Sequence, residues 1–464
     1  MTDQQRFDQV GYESDGYFET PNIDELAQRG VVFSNTYSAA TTCVPARVSL
    51  LTGLQHHRVP TQVNLHALRE GFWTVAHALR HVGYETALIG KMHFAPVHAQ
   101  HGFDTMRLCE HLRPRDLKPV GDGSARDVDD YHDWLIAQGI PDWRATPAEE
   151  ARPVFPYDAA LHPTGWVESE TLSFLEGRDR RRPLLLVISF PPPHAPRNPP
   201  EPYASMYDPA DTPLPRDGFE VNERLPPRFR EAMSKRFGRR FAPRRVSSDE
   251  AGARALLTSV RALMRQVDDS VGRIVDCLDM TRSVVFFTSD HGDYGGHRGM
   301  LSKVPWIPFD DLARVPLVVA GRGVVGGRHV SQLVQSYDFT PTCLEYAGID
   351  LPGDLLDAQG LCPWLQDQPT ERDLDRAVVC ATTMGWPMVR RGPLKYVVHR
   401  RSKERVLFDL DADPGETTSV LDDPAYGSDA DELSSLLEHE LARETPDLPS
   451  FGTPAVAAGS LDRA

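Results

Sequence analysis

Three short runs of the chain are apolar at nearly every position: Thr86–Ile89, Leu184–Phe190 and Val284–Thr288. Each is rich in Leu, Ile, Val or Phe and stops at polar, Gly or Pro residues, as strands covered on both faces do. Between them the apolar spacing is helical. Ile23–Arg29 follows Thr20-Pro21, a capping residue with Pro in the first turn. Trp73–Val82 and Ala251–Leu278 carry an apolar stripe on an otherwise polar surface. Strand and helix in alternation predict an α/β fold, with a large, doubly wound, mostly parallel mixed sheet flanked by helices. Such sheets bind ligands beyond the carboxyl ends of their strands. The polar clusters of this chain lie just after the predicted strands.

Beyond about Asp367 the pattern changes. Met388–Arg390, Leu394–His399 and Val406–Asp409 read as short antiparallel strands separated by turns, and Ala430–Arg443 as a closing helix. The chain divides accordingly into 1–367, a catalytic α/β unit, 368–443, a small C-terminal α+β unit, and 444–464, a loose tail rich in Pro, Gly, Ala and Ser. Arg113–Pro163 is Asp- and Pro-rich and reads as a long insertion. Arg224–Arg245 holds nine Arg or Lys against one Glu, a local +8 that serves either as a solvated helix face or as a rim collecting polyanionic substrate. The sequence has no internal repeat.

The 464 residues carry 66 acidic and 50 basic side chains, a net charge of −16, which argues against a general nucleic-acid binder and against electrostatic attachment to an anionic membrane. No apolar run approaches the ~18 residues needed to span a bilayer. The opening Met-Thr-Asp-Gln-Gln-Arg has no apolar signal core, so a cytoplasmic location is expected. The six cysteines, Cys43, Cys109, Cys277, Cys343, Cys362 and Cys380, form no CxxC pair, and most are expected to be reduced core thiols.

Cys43 stands apart. In Thr42-Cys43-Val44-Pro45-Ala46-Arg47 it lies at the mouth of a predicted helix, with Pro45 in the first turn and Arg47 one turn on. A helix N-terminus lowers a thiol pKa and attracts anions, so Cys43 is either a reactive thiol in an anion site or a buried cysteine before a core helix. Ser289-Asp290-His291-Gly292 follows the predicted strand Val284–Thr288 and offers a divalent cation a carboxylate and an imidazole; as a turn it would offer a capping Asp. Gly90-Lys91-Met92-His93 and Pro193-His194-Ala195-Pro196 also follow strands, and each reads as a ligand-facing loop or as a solvated one.

Taken together, Cys-x-Pro-x-Arg at Cys43–Arg47 followed by Leu51-Thr52-Gly53, with the later motifs in order, resembles the type I sulfatases of the alkaline phosphatase superfamily. In that family the cysteine is oxidised by a formylglycine-generating enzyme, and the hydrated aldehyde is the nucleophile. The resemblance implies a metal site of Asp3, Gln4, Asp290 and His291, with residue 43 facing the ion. Calcium is the family default, with magnesium or manganese as alternatives, and oxygen-rich ligands fit calcium better than zinc. It further implies catalytic roles for Cys43, Arg47, Lys91, His93, His194 and Lys303. Arg47 favours the ionised nucleophile, and Lys91 and Lys303 spread the charge of the sulfuryl oxygens. His194 protonates the departing alcohol, its near-neutral pKa suiting that work. His93 then removes the proton that releases sulfate. Gly296-His297-Arg298-Gly299 departs from the family's His-Gly at Arg298, so no role carries over to His297. Arg314-Val315-Pro316-Leu317, Leu394-Lys395-Tyr396 and Asp413-Pro414-Gly415-Glu416-Thr417 extend the resemblance into the C-terminal unit.

The family's first strand precedes its first metal pair, whereas Asp3 is the third residue here. A missing first strand is expected, with Met1 internal to a longer reading frame; if the chain instead starts at Met1, the Asp3-Gln4 pair would hang on an unanchored terminus. The implied reaction is hydrolysis of an anionic sulfate ester, on a small molecule or a glycan. Phosphonate monoester or phosphodiester hydrolysis at the same site is the alternative, and a pseudoenzyme would follow if Cys43 stayed unmodified.

Overall fold

The computed structural model describes residues 1–14, 16–59, 68, 72–94, 97–110, 129–140, 154–215, 224–234, 244–245, 250–350, 355–370, 374–381 and 385–446. One half of the main sheet has the order β4 (Thr105–Leu108), β3 (Glu85–Gly90), β5 (Leu184–Pro193), β1 (Thr2–Asp3), all parallel. The other half runs β7 (Val284–Thr288), β10 (Leu317–Gly321), β2 (Val31–Tyr37), β11 (Arg328–Gln335). Here β10 is antiparallel to both neighbours, β2 and β11 are parallel, and the two-residue β9 (Arg314–Val315) adds to β2. A parallel bridge between Thr2 and Ser289 joins the halves, and the Asp290 amide donates to the Thr2 carbonyl at 3.3 Å. The mixed, mostly parallel sheet matches the expectation from the apolar runs.

The N-terminus is anchored in the sheet and does not hang free. β1 is only two residues long, yet it occupies the middle of the sheet. The Met1 ammonium donates to the Ile188 carbonyl at 2.7 Å, and the Phe190 amide donates to Met1 at 2.9 Å. Thr2 and Asp3 are fully buried and Gln4 is 2% exposed. Two residues suffice because neighbours on both sides satisfy the backbone groups of the slot.

Helices cover both faces. Pro21–Arg29, Val75–His81 and Glu250–Val275 realise the three predicted amphipathic segments. Pro163–Gly177 and Glu250–Val275 pack on one face over Ala87, Ile89 and Phe190. Cys43–Thr52 and Val75–His81 cover the other over Leu88, Leu185 and Val187. A two-residue β6 (Arg244–Arg245) pairs antiparallel with β8 (Met300–Leu301), so the end of the basic stretch is strand rather than helix. Residues 235–243 of that stretch lie outside the described residues, as do 113–128 and 141–153 of the expected insertion and 447–464 of the tail. Of that insertion, Asp130–Ala137 is a helix capped by Asp129.

The C-terminal sheet is an antiparallel meander of β12 (Ala377–Cys380), β13 (Met388–Arg391), β14 (Leu394–Val398) and β15 (Arg405–Asp409). Alternation sends Val379, Val389, Tyr396 and Leu407 against Leu433 and Leu437 of helix Gly427–Ala442. The opposite face, with Val378, Met388, Val397 and Phe408, packs on Tyr37, Phe309 and Leu312 beside the main sheet. Both faces are covered, so the meander is held on two sides. Among the free cysteines, Cys109 and Cys380 are buried, Cys343 and Cys362 half-buried, and Cys277 is exposed, contrary to the expectation of a core thiol. No helix among the described residues is long and apolar enough to cross a membrane.

The cap of helix Pro163–Gly177 makes stability depend on pH. The Nδ1 of His162 accepts the Thr164 amide at 3.3 Å, and the ring is 1% exposed. Burial lowers its pKa from 6.5 to about 3, so the unfolded chain takes up the proton first. The contribution is therefore complete above pH 6.5 and is lost as the pH falls towards 3. Denaturant titrations between pH 7 and pH 5 are expected to show this group costing about 1.4 kcal/mol per pH unit below its ordinary pKa. His162→Asn retains a capping oxygen and is expected to flatten that slope. An unchanged slope would remove His162 from the acid response.

Candidate active site

Five parallel strands deliver their polar termini to one place. Asp3 and Gln4 leave β1, Lys91 and His93 leave β3, His194 leaves β5, and Asp290 and His291 leave β7. After β2, Cys43 opens the helix Cys43–Thr52, with Thr42 extended before it and Gly53 left-handed (φ 70°) behind it. The helix has ten residues, all buried, so both expected properties of Cys43 hold: it precedes a core helix and it faces an ionic cluster. Its Sγ lies 2.8 Å from Lys303 Nζ, 3.2 Å from His291 Nε2 and 3.8 Å from Asp3 Oδ1. Burial and the Asp3 carboxylate push the thiol up, but Lys303, Lys91 and His291 outweigh them and leave it well below the usual thiol range.

Arg47 spends its guanidinium hydrogen bonds on Asp3, Asp290, Ser189 and the Lys91 carbonyl. Its Nε donates to Asp290 Oδ2 at 2.8 Å and one terminal nitrogen to Asp3 Oδ2 at 3.1 Å. The other donates to Ser189 Oγ at 2.9 Å and to the Lys91 carbonyl at 2.5 Å. The planar guanidinium fork thereby clamps two buried carboxylates from separate strands. Asp290 Oδ1 accepts the amides of Gln4 at 3.0 Å and His291 at 2.8 Å. Lys91 Nζ sits 2.5 Å from Asp3 Oδ2, and its side chain is 1% exposed. Burial raises both carboxyls. For Asp3, Lys91, His194, Arg47 and Lys303 outweigh it and hold the carboxylate well below its ordinary range. For Asp290, the charge of Asp3 adds to burial and the net direction is upward.

The histidines differ in orientation. His291 Nδ1 faces the Gly292 carbonyl at 2.8 Å and its Nε2 is turned towards Cys43; burial and Lys303 lower its pKa, but Asp290 and Cys43 outweigh them and leave it raised. His93 is left-handed (φ 67°), and its side chain is close enough to Cys43 for the thiol to raise its pKa. Burial, and next Lys91, hold its pKa below the usual imidazole value. His194 is half-exposed with Nδ1 2.7 Å from the Ala195 carbonyl. Desolvation and then Lys91 lower its pKa to about 3.

The donor set suits a hard divalent cation. One ligand atom each from Asp3, Cys43, Asp290 and His291 lies within 4.8 Å of all the others, and all four residues are buried. Gln4 Nε2 donates to Asp293 Oδ2, which fixes the amide's orientation and leaves Oε1 as a further acceptor. Of the residues expected at the metal site, the cluster gathers Asp3, Cys43, Asp290 and His291.

His297 and Arg298 belong elsewhere. His297 pairs with Asp311 at 3.4 Å. Arg298 (φ 56°) donates to the Gly415 and Glu416 carbonyls at 2.7 and 3.2 Å and lies 3.8 Å above the Phe309 ring. It ties the Lys303 loop to the C-terminal unit, which accounts for the departure from the family's His-Gly. Three buried residues were not found in the sequence. Asp293 accepts from Gln4 and, at 2.5 Å, from Arg197. Glu110 holds the Met92 and His93 amides. Asp293 lies two residues after His291 and could have been suspected; Arg197 and Glu110 sit outside every motif.

Comparison with known proteins agrees with this geometry. Residues 1–349 match the family described as Sulfatase. An arylsulfatase of Clostridium perfringens (strain 13 / Type A) is 29% identical over 475 residues, covering 95% of this chain and 93% of its own. A choline-sulfatase of Rhizobium meliloti (strain 1021) is 30% identical over 416 residues, covering 88% and 78%. The fold resembles the crystal structure of the phosphonate monoester hydrolase of Agrobacterium radiobacter, with TM-score 0.78, 24% identity and coverage of 95% and 94%. With the sulfatase family match spanning most of the chain and the nucleophile, basic and ligand residues converging at the strand ends, the chain belongs to the sulfatase family of the alkaline phosphatase superfamily and is a sulfuric ester hydrolase.

Proposed function

We propose that Cys43 is converted to formylglycine by a formylglycine-generating enzyme and that the site, loaded with calcium, hydrolyses anionic sulfate esters of small alcohols or glycans. The carrying observation is the position of Cys43 Sγ, at a helix N-terminus and within 3.2 Å of both Lys303 and His291. Asp3, Gln4, Asp290 and His291 would hold the ion. Bound there, it would supply positive charge opposite the nucleophile and the sulfuryl oxygens. The formylglycine hydrate supplies a nucleophilic oxygen and a second hydroxyl. Lys91 and Lys303 steer the tetrahedral anion to residue 43, and Arg47 keeps Asp3 and Asp290 charged and correctly placed. His194 delivers a proton to the leaving oxygen. The incoming ester anion raises its pKa, as a negative charge beside an imidazole does. His93 takes the proton from residue 43 that accompanies sulfate release.

The test is the mass of the tryptic peptide Gly30–Arg47 from protein made in its native host. An aldehyde in place of the thiol is expected. An unmodified thiol would favour a pseudoenzyme. Rates on an aryl sulfate and an aryl phosphonate, measured side by side, are expected to favour the sulfate. The reverse preference would make the enzyme a phosphonate hydrolase on the same site.

A further inference from the structure

We infer that Glu110 is a positioning residue for the reaction, holding His93 through its main chain. The inference rests on the role of His93 proposed above. Glu110 follows β4, the edge strand beside β3, and it is 2% exposed. Its carboxylate faces the loop that leaves β3. Oε1 accepts the amides of Met92 and His93, both at 2.9 Å, and Oε2 accepts the His93 amide at 2.7 Å.

Two observations make this more than packing. His93 is a non-glycine residue at φ 67°, a conformation that persists only where its surroundings enforce it. A histidine that moves protons is ordinarily aligned by a partner on its second ring nitrogen. His93 Nδ1 is buried and without a hydrogen-bond partner among the described residues. The direction of the ring towards Cys43 is therefore set from the backbone, and the carboxylate of Glu110 holds that backbone.

Glu110 is in turn held. Its amide donates to Asp129 Oδ2 at 2.6 Å, and Asp129 Oδ1 caps the helix Asp130–Ala137 through the His132 amide at 2.9 Å. The Leu108 amide donates to Asp130 Oδ2 at 2.6 Å. A chain of polar contacts thus runs from this helix cap through Asp129 and Glu110 to His93 and residue 43.

The test compares Glu110→Ala, Glu110→Gln and His93→Ala. Release of alcohol and of sulfate is followed separately in a single turnover, and amide hydrogen exchange is followed at residues 92 and 93. In Glu110→Ala, exchange at both amides is expected to rise roughly tenfold or more, and sulfate release is expected to slow by roughly tenfold relative to alcohol release. Glu110→Gln keeps one carbonyl oxygen that can accept from both amides, so most of each effect is expected to be rescued. Unchanged exchange in Glu110→Ala, or equal slowing of both products when His93→Ala delays sulfate alone, would overturn the inference. If His93→Ala itself slows both products equally, the reading of His93 fails, while exchange still judges Glu110. Should the alanine variant not fold, Glu110→Gln alone decides, with faster exchange at His93 than at Met92 expected from loss of the Oε2 bond. Equal exchange at the two amides would then count against it.

Discussion

Cys43→Ala is expected to lower kcat on a sulfate ester by about four to six orders of magnitude, as loss of a covalent nucleophile does. The alanine has neither the thiol that is oxidised nor any oxygen to replace it. Lys303, Lys91, His93 and His194 remain, so substrate still reaches the site but finds nothing to attack sulfur. Asp3, Asp290 and His291 keep three ligand atoms of the metal cluster. Calcium binding measured by calorimetry is therefore expected to survive in weakened form. This separates loss of the nucleophile from loss of the ion. Turnover within about tenfold of the parent, measured on the same aryl sulfate, would dismantle the proposed chemistry, because no other residue of the cluster takes the place of a covalent nucleophile.

Arg47→Met is expected to destabilise the calcium-free protein by about 3–5 kcal/mol, the cost of stripping the counter-charge from a buried ion pair. The guanidinium contacts Asp290 at 2.8 Å and Asp3 at 3.1 Å, and both carboxylate side chains are fully buried. Lys91 remains beside Asp3, so Asp290 suffers most. Its pKa already stands above the ordinary carboxyl value through burial and the charge of Asp3. Loss of Arg47 removes a cation that opposes both effects. Calcium, the proposed ion, would bring positive charge to the same pair of carboxylates. It is therefore expected to stabilise the variant in denaturant titrations, restoring part of the loss by preferential binding to the folded state. A calcium-free variant as stable as the parent would show that Arg47 is not the counter-charge of the site.

Much of the site could be read from the chain because its residues lie within a few positions of strand ends. Lys91 follows Gly90 of β3, His194 follows Pro193 of β5, and Asp290 is the second residue after β7. A parallel sheet brings such positions together whatever the loops do. Glu110, Asp293 and Arg197 escaped notice because they act on backbone amides or on other side chains. Their partners are distant in sequence, as with Arg197 and Asp293, and no local pattern encodes such a pairing.

The amino-acid sequence by itself determined the α/β class, the helices Pro21–Arg29 and Glu250–Val275, the antiparallel C-terminal meander and the family. These follow from apolar periodicity and from motifs carried within short segments. Only the tertiary structure decided that Thr2–Asp3 is a buried central strand and that Arg47 grips the carboxylates of Asp3 and Asp290. The reason is physical. Two residues become a strand only when strands on both sides satisfy their backbone groups, and a side chain's charge and direction depend on neighbours brought close by folding.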